Sequence, residues 1–183
     1  SIAVEIVEDH DELRAAFLLA HRRIARSPIH KLGIQSSGSR IVAQEFIPGE
    51  EFGLDVINDL SGRHITTIIR RKLGMRAGET DRAEIVNHDA LAQLGTTLGR
   101  NLRHRGNLDV DVILGPSGPV VIELNPRFGG GYPFSHEAGA NLPLALLSWA
   151  SGGEMPPAAL AVTHGLLFAK YELLMPLRPP AGS

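Results

Sequence analysis

The chain has 183 residues and a mass of 19.7 kDa, with 43% apolar and 21% charged residues, enough to bury one or two small cores. Its formal net charge is −2 and its pI about 6.4, a balance that gives no electrostatic footprint for nucleic acid or an anionic membrane surface. No apolar run reaches the ~18 residues needed to cross a bilayer, and the lack of cysteine excludes disulfides, thiolate metal sites and a cysteine nucleophile.

IAVEIV (2–7) alternates and is β-branched, which predicts a strand. EDHDEL then places acids at the start of a helix through LRAAFLLAHRRIAR, with Leu13, Phe17, Ala20 and Ile24 on one face. The Ser-, Gly- and Pro-rich segment 27–39 reads as a loop. IVAQEFI (41–47) and FGLDVIND (52–59) read as strands joined by PGEE, and Ser61-Gly62 turns the chain into another, HITTIIRRK. Residues 74–87 read as a polar loop, and Leu91, Leu94, Leu98 and Leu102 predict a helix from Asp89 to about Arg103. Two strands follow, NLDVDVIL (107–114) and VVIELN (120–125), separated by GPSGP. After a glycine loop come an apolar helix, LPLALLSWAS (142–151), and a last strand, GLLFAKYELL (165–174). The expected fold is α+β: an antiparallel sheet with helices packed on one face.

A strand sends alternate side chains to opposite faces, so Asp109 and Asp111 share a face, as do Glu123 and Asn125. A two-residue loop pairing Gly115 with Gly118 would turn the two sets to opposite faces. A three-residue loop pairing Gly115 with Pro119 sets Asp111 opposite Glu123 and Asp109 opposite Asn125. Pro116 and a left-handed Gly118 suit the second arrangement, which is therefore expected. Like charges facing one another destabilise a sheet. A solvated polar face is one reason for such a cluster; a hard-cation site is the other, because Mg²⁺ takes one or two carboxylates plus phosphate oxygens and water.

Arg127 follows directly, where its guanidinium can clamp a phosphate or carboxylate, and Gly129 to Gly131 allow a backbone to approach a ligand. Arg70 and Lys72 share one face while Arg71 takes the other; one or two of these three and Arg76 are candidates to face phosphate, and a solvated edge strand is the alternative. His136, just past the glycines, is a candidate substrate contact. The chain has no GxxxxGK[ST], GxGxxG, HExxH or GxSxG, so P-loop, Rossmann, zinc-peptidase and serine-hydrolase chemistry find no support.

QEFIPGEEFGLDV (44–56), NLDVDV (107–112) and VIELNPRFGGGYPFSHEAGANLP (121–143) resemble the ATP-grasp superfamily, most of all its carbamoyl-phosphate-synthase-like branch. The resemblance covers roughly residues 1–160, the C-terminal part of that family's ATP-binding domain. It implies activation of a carboxylate as an acyl phosphate by MgATP, followed by displacement of phosphate by an amine or another nucleophile. Glu123 and Asn125 match the Mg²⁺ (or Mn²⁺) ligands of the E-x-N-P motif, Asp109 matches the ligand on the preceding strand, and Asp111 is a neighbour. Glu45, Phe46 and Ile47 match the hinge whose backbone reads the adenine edge, Glu51 the acid that holds the ribose hydroxyls, and Arg127 the arginine beside the transferred phosphoryl group.

By the same resemblance, residues 1–40 correspond to a remnant of the lid subdomain (strand, helix and loop) and 41–183 to the C-terminal subdomain. The family's glycine-rich lid loop, with its lysine, precedes the segment matched here. The chain is therefore expected to be a fragment of a ligase that does not turn over alone. Glycines stand where biotin-carboxylating relatives carry a loop glutamate, which disfavours that reaction. The partners implied are a nucleotide and a small-molecule carboxylate, with no nucleic acid and no membrane; the expected location is the cytoplasm, and a homodimer is compatible. The alternatives are a non-catalytic binding or structural module on the same scaffold, or an unrelated phosphate-binding regulatory domain.

Overall fold

The computed structural model describes residues 4–27, 41–76, 78–155 and 158–174. The chain divides into two compact units, Ser1–Ile47 and Pro48–Ser183.

In the first unit, helix α1 (His10–Arg26) starts where the acids predict. The Asp9 carboxylate accepts from the Glu12 N–H at 2.8 Å, and the Glu12 side chain accepts in return from the Glu8 N–H at 2.8 Å, so donors at the helix start are satisfied reciprocally. Of the expected apolar face, Ala20 is buried while Leu13 and Phe17 are exposed. The strands expected at 2–7 and 41–47 do not form in residues 4–7 or 41–47. A strand needs a partner to complete its ladder, and the sheet is built entirely from later segments, whereas Val4, Ile6 and Val42 are exposed. Most of the expected loop, residues 28–39, lies outside the described residues.

The second unit is built on one six-stranded antiparallel sheet of β1 (Glu50–Asn58), β2 (His64–Arg76), β3 (Glu79–Val86), β4 (Gly106–Gly115), β5 (Gly118–Asn125) and β6 (Leu167–Ala169), in the order β5-β4-β1-β2-β3-β6. Helices α2 (Asp89–Leu102), α3 (Tyr132–Glu137) and α4 (Leu142–Ala150) complete it. The α+β class and the antiparallel sheet are as expected. The helices, expected on one face, lie on both. Phe52, Leu54, Val56, Ile69, Leu108, Val110 and Val112 turn to one face and bury Leu91, with Leu94 and Leu98 of α2 packed against them. Ile57, Ile68, Ala83 and Ile85 turn to the other and pack with Tyr132, Phe134, Leu142 and Ala145 of α3 and α4. Both faces of these central strands are apolar over part of their length, so each demands a cover.

Three further differences follow from pairing that no short window contains. The segment 74–87 is mostly strand: β2 runs on to Arg76 and β3 pairs with it, with Thr80, Ala83 and Ile85 inward. The final strand shortens to the three residues that pair with β3. YPFSHE, to which the sequence reading gives no element, forms α3, with Pro133 in its first turn where a missing N–H costs nothing.

Candidate functional site

The β4–β5 hairpin closes through a two-residue turn, Gly115 pairing with Gly118, and not through the three-residue loop expected. Uncorrected, that turn would set the two acidic pairs on opposite faces. A bulge corrects it. The register shifts beyond Val112 and Val121, leaving Ile122 as the extra residue in β5, after which Asp111 pairs with Glu123 and Asp109 with Asn125. The pairing predicted from sequence is therefore present, produced by a bulge in the strand.

The same face continues across the sheet. On β1, Asp55 stands opposite Asp109 and Gly53 opposite Asp111; on β2, Arg70 stands opposite Gly53. With no side chain on Gly53, the Arg70 guanidinium lies across it, 3.1 Å from where a Cβ would be. Arg70 is 2% exposed and ion-paired to Asp55, itself fully buried. It also donates to the Ser135 hydroxyl at 2.8 Å and to Asp109 Oδ1 at 3.4 Å. Ser135 donates in turn to Asp55 Oδ2 at 2.6 Å, and Asn107 Nδ2 donates to Asp55 Oδ1 at 2.9 Å. One buried cation thus sits between two carboxylates that face each other on adjacent strands, the arrangement that lets them coexist.

Asp109 is held on its other side by Arg127, whose Nη1 lies 3.5 Å from Oδ2. The Asp109 carboxyl is raised to about 6 on balance: burial pushes it up most, the Arg70 guanidinium pulls it down, Asp55 and Asp111 push it up and Arg127 opposes them. Arg127 is largely exposed, and its Nη1 also donates to the Phe128 carbonyl at 2.9 Å. The glycines close the arrangement from above. A Cβ on Gly129 would overlap the Asp109 carboxyl group, and one on Gly131 would lie 2.8 Å from Arg70 Nε. Their first service is to let the loop rest on this ion network.

Nearer the hairpin end, Lys72 Nζ pairs with Asp111 at 2.8 Å and approaches Glu51 at 3.8 Å. Arg71 points to the opposite face and pairs with Glu84, as alternation predicts, and Arg76 pairs with Asp81 and Glu172. All four basic candidates are thus engaged by carboxylates of the chain itself. His136 Nδ1, on α3, lies 3.1 Å from the Ala140 carbonyl in the turn that follows the helix. Glu45, Phe46 and Ile47 belong to the first unit, with Phe46 exposed and none of the three in a strand.

Sequence reasoning missed Asp55, Ser135 and Asn107, and read Arg70 as a phosphate candidate. A signal existed: an acid two residues from a glycine inside the apolar strand FGLDVIN marks a buried charge that needs a partner.

Among the described residues, neither Glu123 nor Asn125 uses its side chain in a hydrogen bond or ion pair, and Asn107 Oδ1 is buried without a partner. Asp109, Glu123 and Asn125 offer only oxygen, the donor set of Mg²⁺ or Mn²⁺. Among the described residues no three of His, Cys, Asp or Glu converge on one point. The residues fit a hard cation that takes few protein ligands and completes its shell with phosphate and water.

A model of the family described as "ATP-grasp in the biosynthetic pathway with Ter operon" matches residues 38–172. A curated relative, the 3-methyl-D-ornithine–L-lysine ligase of Methanosarcina barkeri, is 26% identical over 147 residues, which cover 74% of this chain and 39% of the relative. The corresponding ligase of Methanosarcina acetivorans is 26% identical over 146 residues, 75% of this chain and 40% of the relative. The chain spans about two-fifths of the length of these relatives. Among solved structures, an L-amino acid ligase from Bacillus licheniformis superposes with a TM-score of 0.59 at 22% identity, over 82% of this chain and 40% of that one. An N5-carboxyaminoimidazole synthetase from Staphylococcus aureus, complexed with ADP, does so with a TM-score of 0.56 at 14% identity, over 82% and 38%. The family match spans most of the chain and includes the acidic hairpin, the buried ion network and the glycine loop: this chain belongs to the ATP-grasp family.

Proposed function

We propose that the chain forms the metal- and phosphate-binding part of an ATP-dependent carboxylate–amine (or related) ligase of the carbamoyl-phosphate-synthase-like branch. In this reaction a substrate carboxylate oxygen attacks the γ-phosphorus of ATP, the bond to the β-phosphate oxygen breaks and ADP leaves. An amine then attacks the acyl carbon and inorganic phosphate departs. Asp109, Glu123 and Asn125 hold Mg²⁺ or Mn²⁺, which when bound supplies charge neutralisation on the phosphate oxygens. Arg127 sets a guanidinium beside the transferred phosphoryl group, where positive charge stabilises the transition state. Glu51 takes the ribose hydroxyls and the backbone of Glu45, Phe46 and Ile47 the adenine edge, with residues 1–40 as the remnant of the lid subdomain. The names of the curated relatives and of the first solved structure, ligases acting on amino acids, support an amino-acid-like carboxylate as the substrate class.

The single observation that carries this reading is the bulge at Ile122, which brings Glu123 and Asn125 to the face of Asp109 in a chain of this family. Calorimetry with a non-hydrolysable ATP analogue, with and without Mg²⁺, tests it. Binding is expected to strengthen with Mg²⁺, and Glu123→Gln and Asn125→Ala to weaken the Mg²⁺-dependent part by about tenfold or more. Binding indifferent to Mg²⁺ and to both substitutions would favour the non-catalytic module.

A further inference from the structure

The cluster Asp55–Arg70–Ser135 lies behind the candidate ligands and has no part in the reaction as proposed, yet it is among the most buried polar groups of the sheet. Its members come from the paired strands β1 and β2 and from α3, which otherwise packs on the sheet through apolar side chains. Arg70 touches all the others. Its fork reaches Asp55 and Ser135 through Nη1 and Asp109 through Nη2. Asn107 joins from the far side, donating to Asp55 and, at 3.4 Å, to the carbonyl of Arg127. Asp109, Arg127 and the glycine loop are thus all tied to one guanidinium. Asp109 is tied directly, Arg127 through Asp109 and through Asn107, and the glycine loop through Gly131, where a Cβ would lie 2.8 Å from Arg70 Nε.

Stability alone does not explain this construction. Replacing a buried ion pair by apolar residues of similar volume is often neutral or stabilising, because desolvation offsets the attraction. Nor does a lysine serve equally. Two carboxylates on neighbouring strands and a hydroxyl on a helix lie in different directions, and a planar fork with several fixed donors spans them where a single ammonium does not.

We infer that Arg70 is a positioning residue, with Asp55 as its anchor: the pair fixes the rotamer of Asp109 and the seat of the Arg127–Gly131 loop so that the metal site is formed before ligands arrive. The inference rests on the metal-site reading above and names residues that this reading leaves out. Partners that orient metal ligands from behind typically change metal affinity by about 10- to 100-fold when removed.

The test separates positioning from mere stability. Mn²⁺ binding to the chain, with and without ADP, is followed by the electron paramagnetic resonance of the free aquo ion, alongside thermal unfolding of the same samples. Arg70→Met strips Asp55 of its cation and leaves Asp109 only the exposed Arg127, and is expected to lose both thermal midpoint and Mn²⁺ affinity. Asp55→Leu combined with Arg70→Met removes the buried charge and is expected to regain most of the midpoint while Mn²⁺ affinity stays at least about tenfold down. Arg70→Lys keeps the charge without the fork, and is expected to remain folded yet lose Mn²⁺ affinity. Affinity that recovers with the midpoint in the double variant, or persists in a folded Arg70→Lys, overturns the inference while leaving the metal site intact. A wild-type chain that takes up no Mn²⁺ overturns the metal-site reading itself, and the positioning role with it.

Discussion

Gly129 rests directly on Asp109: a Cβ added to this glycine would overlap the aspartate's carboxyl group. The contact joins the loop that follows the acidic hairpin to the charge buried within it. It answers why a triple glycine should follow an acid-bearing strand. The loop must descend onto an ion network, and side chains at its first and third glycines would collide with Asp109 and Arg70.

Gly129→Ala is accordingly expected to destabilise the second unit by about 1–3 kcal/mol, the usual cost of overpacking a filled site, and to weaken Mg²⁺-dependent binding as Asp109 is displaced. Gly153→Ala is the control, because its Cβ would meet only ordinary contacts at 3.5 Å. That variant should stay within about 0.5 kcal/mol of the parent chain. Urea unfolding checks both.

Asp109 gives a prediction in pH. Its carboxyl group is raised to about 6 from an ordinary 3.8, with burial the first cause. Below the ordinary value both folded and unfolded chains hold the proton and the group contributes nothing. Above it the unfolded chain releases the proton first, so the folded state is penalised increasingly as pH rises towards 6, and fully beyond. Asp109→Asn should therefore gain stability relative to the parent chain between about pH 4 and 6.5 and hold that gain at higher pH, while losing metal binding. A loss of stability that grows as pH rises to about 4 and persists above it would instead mean that Arg70 and Arg127 dominate and lower the carboxyl group.

His64 has the opposite sense. Burial first, then Arg100 and His104, hold its imidazole below the ordinary 6.5, and its Nδ1 lies 3.3 Å from Asn58 Oδ1 beneath α2. Above 6.5 the ring is neutral in both states. As pH falls through 6.5 the unfolded chain takes up a proton that the folded ring refuses, so stability drops. His64→Gln should flatten this acid limb between about pH 6.5 and 5 in chemical denaturation, and leave nucleotide binding unchanged because the residue lies on the α2 side of the sheet.

Much of the fold was legible because it is periodic. Alternation from Phe52 to Asn58 and from Asn107 to Leu114 locates β1 and β4, and leucines at helical spacing locate α2. The hairpin partners were legible too, though for the wrong reason. Pro116 and Gly118 favour a three-residue loop by their own preferences, but the ladder to β1 settles the strand, and the surplus residue appears as a bulge at Ile122. β3 was missed because Arg82 and Glu84, flanking Ala83, read as loop until β2 and β6 are placed on either side of them. The role of Arg70 was illegible for a similar reason. In sequence it is one of three consecutive basic residues; only the register that sets it over Gly53 buries it against Asp55.

The most direct test of the account is the anomalous diffraction of manganese in crystals of the chain grown with Mn²⁺ and a non-hydrolysable ATP analogue. A peak is expected within coordinating distance of the side-chain oxygens of Asp109, Glu123 and Asn125, with Arg127 turned towards the terminal phosphate. A peak elsewhere on the chain, or Glu123 turned to the α2 side of the sheet, would contradict it.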